Sequence, residues 1–185
     1  MSTPPGRRVL VAIVDGELGD RIQRWRQRHD PKQAARLPPH LTVCYRPPDA
    51  SLEVLEAQVR HAFPASVAVH LCGVFVLAHP EAPLAVRVLD CAALDEARRR
   101  LFDGSHVQMG GRDEWPWHIT CIRYGHSRDR EALVAAAADE LPLDAWWTIS
   151  HISYLELRDG RYEPVATWQL TPAAPRGAPP EQASR

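Results

Sequence analysis

Lysine is almost absent from this 185-residue chain: Lys32 is the only one, and arginine supplies the rest of the 22 basic side chains. Against 23 acidic residues they leave a net charge of −1. That balance excludes a protein that coats long nucleic acid, which needs a basic excess. It leaves room for a small phosphate-bearing substrate held by a few arginines, the better planar donors to phosphate, although a GC-rich genome produces the same bias. Cysteine is sparse too. Cys44, Cys72, Cys91 and Cys121 lie far apart with no C-x-x-C pair, which excludes a zinc ribbon or a dithiol redox motif. Long apolar runs are missing: Val9 to Val14 stops at Asp15, too short for a secretory h-region or a membrane span. The expectation is a cytoplasmic protein with reduced thiols and no membrane partner.

What is present belongs to a globular domain. Hydrophobic residues make up 45% and charged residues 24%, ordinary values for a folded soluble chain. Residues 1–6 and 171–185 are rich in Pro, Ala, Gly and Ser without apolar periodicity and read as tails. Between them, strands are predicted at 9–14, 40–45, 67–77 (bulged at Gly73), 84–89, 118–124, 146–157 and 161–170. Helices are predicted at 19–28, 51–63, 92–102 and 128–141. Leu52, Leu55, Val59 and Phe63 share one helical face before Pro64 stops it. A Pro-containing loop precedes His40, and His79-Pro80-Glu81-Ala82-Pro83 connects the two parts.

The order of elements recurs, and so does the register. His40 and His118 are 78 positions apart (40 to 118), as are Pro64 and Pro142 (64 to 142). Two copies are too few for a solenoid. The reading is therefore a single bilobal α/β (α+β) domain over 7–170. Its repeat units are about 7–81 and 83–158, with 161–170 as a last strand. Two mainly antiparallel sheets face each other across a central cleft, helices lie outside, and the whole has pseudo-two-fold symmetry.

Each copy carries the same tripeptide at the same point: His40-Leu41-Thr42 and His118-Ile119-Thr120. On a strand, residues two apart share a face, so each His and Thr point together while the apolar residue between packs inward. Two imidazoles and two hydroxyls on opposite walls of a cleft suit in-line displacement at phosphorus. One neutral imidazole deprotonates the nucleophile, the other as imidazolium protonates the leaving oxygen, and the threonines donate to non-bridging oxygens. No metal or other cofactor is required.

These motifs, their separation and the duplicated unit resemble the 2H phosphoesterase superfamily, in particular its 2′-5′ RNA ligase / 2′,3′-cyclic phosphodiesterase branch, over roughly residues 7–170. In that family the second motif continues to an arginine, matched by Arg123. An aromatic lies five residues after the first histidine, matched by Tyr45, and another three before the second, matched by Trp115. The proline usually placed just before the second histidine is replaced by Trp117, with Pro116 one place earlier. The resemblance implies opening of a ribose 2′,3′-cyclic phosphate to a 2′-phosphate, with reversible 2′-5′ RNA joining in some members. The implied partner is a small nucleotide or an RNA terminus bearing the cyclic phosphate, handled by a monomer. It also implies a phosphate role for Arg123, with Tyr45 or Trp115 stacking a base.

Parity qualifies these assignments. Strict alternation puts Arg123 on the face opposite His118, whereas Arg46 shares the parity of His40 and Thr42 and is the substitute candidate. Cys44 also has the parity of His40, yet a packed, inert thiol is the simpler reading. The preferred division of labour has His118 activating water and His40 protonating the leaving oxygen. Two other readings compete. A zinc site lacks further ligands at helical or hairpin spacing, and a non-catalytic RNA-end binder gains little from two titrating imidazoles. Trp146, Trp147 and Trp168 are expected in the core, and Arg98-Arg99-Arg100 on a solvated helix face.

Overall fold

The computed structural model describes residues 7–78, 83–89, 91–110, 116–123, 130–141 and 144–173. The chain runs β1 (Arg8–Ile13), α1 (Gly16–His29), α2 (Pro31–Arg36), β2 (His40–Tyr45), α3 (Leu52–Ala62), β3 (Val67–Val76), β4 (Leu84–Leu89), α4 (Ala92–Leu101), β5 (His118–Ile122), α5 (Arg130–Glu140), β6 (Asp144–Ile149), β7 (His151–Arg158) and β8 (Arg161–Gln169).

Local chemistry accounts for most of these elements. In α3 the hydroxyl of Ser51 accepts from the Val54 amide, and Leu55, Gln58, Val59 and Ala62 form the buried stripe, the i, i+3, i+4, i+7 spacing of an amphipathic helix. α1 buries Gly19, Ile22, Trp25 and Arg26. A Cβ on Gly19 would lie 2.0 Å from the Val14 carbonyl oxygen, so only glycine lets this helix turn back against its own entry. Asp159 and Gly160 both have positive φ (47° and 83°) and join β7 to β8 in a tight hairpin, as the Asp-Gly pair predicts. The expected loop before His40 contains α2, with Pro31 in its first turn and the Asp30 carboxylate accepting from the Gln33 amide. Asp-Pro is itself a helix-start signal.

The strands form one hydrogen-bonded order, β6-β3-β4-β5-β2-β1-β7-β8, antiparallel at each described pair. The two expected sheets are thus two four-stranded halves of one sheet, joined at β2–β5 by the single register pair Leu41↔Ile119. Each half draws on both parts of the chain: β3 pairs with β4, while β7 and β8 return to β1.

The strand expected over 146–157 breaks at Ser150 into β6 and β7. Six strand spacings separate these two in the sheet order, about 29 Å if the sheet were flat. A one-residue link spans about 7 Å, so the sheet folds back on itself until its ends meet. Ser66 N donates to Thr171 O at 2.8 Å and Leu170 N to Ser150 O at 2.8 Å, marking the place.

One face of the sheet packs on α1, α3, α4 and α5 in a core that includes Leu10, Trp25, Leu55, Leu71, Leu94, Ile119 and Ile149. On the opposite face Val9, Val11, Leu37 and Leu155 form a smaller cluster beside α2. Trp147 and Trp168 are buried as expected, but Trp146 is 60% exposed and stacks on His70. The alternation of edge strand β6 turns it away from the core.

Candidate active site

β2 and β5 are the central neighbours of the sheet, and their register arranges the two motifs. Leu41 lies opposite Ile119, and antiparallel pairing then sets His40 beside Thr120 and Thr42 beside His118. The four side chains share one sheet face, at adjacent cross-strand positions, instead of standing on opposite walls. Leu41 and Ile119 are fully buried on the other face.

Both imidazoles are held in the same way. His40 Nδ1 lies 2.7 Å from the Pro38 carbonyl, and His118 Nδ1 lies 2.7 Å from the Pro116 carbonyl. A carbonyl only accepts, so each Nδ1 carries the proton and each Nε2 is left to exchange one. The neighbour of His118 is fixed as well. Trp117 Nε1 donates to Asp95 at 2.8 Å, and the guanidinium of Arg98 sits 3.7 Å from its ring centroid. Arg99 and Arg100 pair with Glu96 on the expected solvated face. Beside His118, Arg87 occupies the opposing position on β4, covers the Phe75 ring at 4.6 Å, and Phe75 meets His118 edge-on.

A matched pair of bulges then overturns the parity arguments. Val11 pairs with Thr42 but Leu10 with Cys44, leaving Val43 as an extra residue. Ala85 pairs with Thr120 but Leu84 with Ile122, leaving Cys121 extra. Beyond each bulge the faces exchange. Tyr45 joins the face of His40 and Thr42, and Arg123, its equivalent in the second motif, follows on the face of His118 and Thr120. Cys44 turns into the core instead, its thiol donating to the Gly110 carbonyl, and burial pushes it up to about 12. Arg46, beyond the bulge in a left-handed conformation (φ 54°), does not line the cavity beside the motifs. Trp115 lies outside the described residues.

That cavity, about 70 Å³, is bounded by His40, Tyr45, Thr120 and Arg123, and by Arg26 and Arg36 from α1 and α2. Burial lowers the His40 imidazole to about 4. The positive charges of Arg26, His118 and Arg123 act in the same direction, and the bond to Pro38 opposes them. His40 is therefore neutral at pH 7. Among the described residues no group of three or more His, Cys, Asp and Glu could hold a metal ion, and no helix is long and apolar enough to cross a membrane.

A protein-family model described as the 2′-5′ RNA ligase superfamily matches residues 14–161. The chain belongs to that superfamily. Its fold is shared with solved structures of low identity. Escherichia coli LigT in apo form is 18% identical, with a TM-score of 0.56 over 91% of this chain and 99% of LigT. The same protein complexed with 3′-AMP gives 17% and 0.55 over the same shares. TT0787 of Thermus thermophilus gives 16% and 0.59 over 91% of this chain and 100% of its own. No curated protein matches the sequence. Membership in the 2′-5′ RNA ligase superfamily agrees with the resemblance carried by the two H-x-T motifs. What the motifs left out is the contribution of α1 and α2: Arg26 and Arg36 lie in no repeated pattern. The bulges did leave a trace, since apolar residues at 41, 43, 44 and at 119, 121, 122 break strict alternation at the same step in both copies.

Proposed function

We propose that this member of the 2′-5′ RNA ligase superfamily is a metal-independent phosphodiesterase that opens ribose 2′,3′-cyclic phosphates to 2′-phosphates. The observation that carries the reading is the pair of H-x-T strands side by side, with both Nδ1 atoms tied to carbonyls and both Nε2 atoms left for proton transfer. A half-buried imidazole, desolvated by its surroundings and in the field of Arg26 and Arg123, stays neutral, which suits the base, so His40 takes the proton of water and His118 supplies the acid. This reverses the division of labour expected from the sequence. Water attacks phosphorus as its proton passes to His40 Nε2. The P–O3′ bond breaks, and O3′ receives the proton from His118 Nε2. Thr42 and Thr120 donate hydrogen bonds to the non-bridging oxygens as charge accumulates there, Arg123 neutralises the phosphate, and Tyr45 offers a ring to the base.

Each proton transfer contributes about 10²–10⁴ in rate. His40→Ala and His118→Ala are expected to abolish measurable opening of a nucleoside 2′,3′-cyclic phosphate, while EDTA has no effect. Full activity in either variant, or dependence on a divalent ion, overturns the reading. The family's description favours one second reaction: a 5′-hydroxyl of RNA attacks phosphorus in place of water, the P–O3′ bond breaks and O3′ is protonated, giving a 2′-5′ junction. In the reverse direction the 3′-hydroxyl attacks, O5′ leaves and the cyclic phosphate reforms. Incubating RNA halves that end in 2′,3′-cyclic phosphate and 5′-hydroxyl, then mapping the linkage, separates the two.

A further inference from the structure

The cavity beside the motifs does not surround the reacting phosphate. A phosphorus attacked with help from one imidazole and released with help from the other must touch both, yet the cavity is bounded by His40 and Thr120 and not by His118 or Thr42. It extends sideways from the site toward α1 and α2, and among the described residues its walls carry Arg26, Arg36 and Arg123 with no carboxylate. At about 70 Å³ it has several times the space one water needs.

Arg26 is buried among neutral groups, and Arg36 is half-buried with its Nε enclosed. Arg26 is 3% exposed, and its guanidinium donates to Leu37 O, Gln33 O and Gln23 Oε1, all neutral acceptors. Its Nε has no partner among the described residues, and neither does the buried Nε of Arg36. Asp30, the nearest acid in sequence to both, has its carboxylate engaged by the backbone amides of Gln33 and Arg123. Asp30 still acts on Arg26 through its charge, but a buried guanidinium with no carboxylate in direct contact is costly, and an anion in the cavity would relieve it. Arg36 is already oriented for one by the Tyr162 ring beneath it, 5.6 Å from the centroid. Guanidinium groups match the planar geometry of phosphate oxygens.

We propose that this cavity is a subsite for a second phosphoryl group of the substrate, so that the preferred substrate is a ribose cyclic phosphate that also carries a phosphate on its 5′ oxygen. The inference rests on the reaction proposed above. Its chemistry is shared by a free 5′-phosphorylated nucleotide and by an RNA end, whose last residue is joined through a 5′ phosphodiester.

The test compares kcat/KM for adenosine 2′,3′-cyclic phosphate, the same compound with a 5′-phosphate, and a diadenosine ending in 2′,3′-cyclic phosphate. Wild type is expected to prefer the phosphate-bearing substrates by about tenfold or more, and Arg36→Gln to bring that ratio toward one. A gain with both compounds supports the subsite in its general form, and a gain with the dinucleotide alone assigns it to RNA ends. Equal rates on all three in wild type, or a preference that Arg36→Gln leaves intact, overturn the subsite while the reaction stands. Calorimetric binding of adenosine 2′,5′-bisphosphate against adenosine 2′-phosphate gives a readout without turnover. Tighter bisphosphate binding that Arg36→Gln removes supports the subsite even if no cyclic phosphate is opened, in which case the proposed reaction fails alone. Equal binding of the two overturns the subsite.

Discussion

His40 carries a stability cost that only acid reveals. Its folded-state value is about 4, lowered chiefly by burial, against about 6.5 in an unfolded chain. Between these values the unfolded chain binds a proton that the folded one refuses, so folding stability is highest above pH 6.5 and declines as pH falls toward 4. The urea midpoint of the wild type should therefore drop between about pH 6.5 and 4, and that of His40→Ala should drop less; equal slopes would sink the assignment. The cysteines allow a second check at this scale. Cys44 and Cys121 are buried and pushed up to about 12, whereas Cys72 and Cys91 are half-buried. Alkylation of the native protein at about pH 8, read by peptide mass spectrometry, should label Cys72 and Cys91 first. Early labelling of Cys44 would mean that its thiol faces the site after all.

Between elements, one polar side chain joins α3, α4 and the segment after α4. Gln58 is fully buried. Its amide nitrogen donates to the carbonyls of Arg100 and Leu101 at the end of α4, and its oxygen accepts from the amides of His106 and Val107. Gln58→Leu keeps the volume but orphans those groups, which should destabilise the fold by about 2–4 kcal/mol, measured as a shift in denaturant midpoint at unchanged m-value. Nothing in the sequence marks Gln58, because its partners are backbone atoms some forty residues away in the chain. The contrast shows which features are legible. β2 and β4 fall on their expected residues because alternation and β-branching are local signals, and the bulge at Gly73 was readable from the glycine. The unity of the sheet, the break at Ser150 and the arginines around the cavity depend on long-range pairing that no local pattern encodes. The face that carries the two H-x-T motifs is legible because the repeat prints it twice. Its two bulges put Arg123 and Arg46 on faces that unbroken alternation does not give, while Cys44 is the packed thiol expected.

As a whole molecule the protein is built from two halves that each borrow strands from the other's part of the chain. Neither half-sheet is complete without the other, since β3 lies in one and β7 in the other, and one core cluster spans both. Unfolding is expected to be a single cooperative transition. Tryptophan fluorescence and far-UV circular dichroism should give superimposable urea curves, and two separated transitions would show that the halves fold independently. The interleaving also sets an order in time. β1 is made before the other strands of this sheet, yet the pairing of Arg8 with Glu156 waits until nearly all of the sheet has left the ribosome, which adds residues at roughly 5–20 per second. For several seconds of each synthesis the β1–β2 pair lacks β7, the strand that covers the β1 edge. A nascent chain can thus carry both histidine strands before the sheet that supports them has closed.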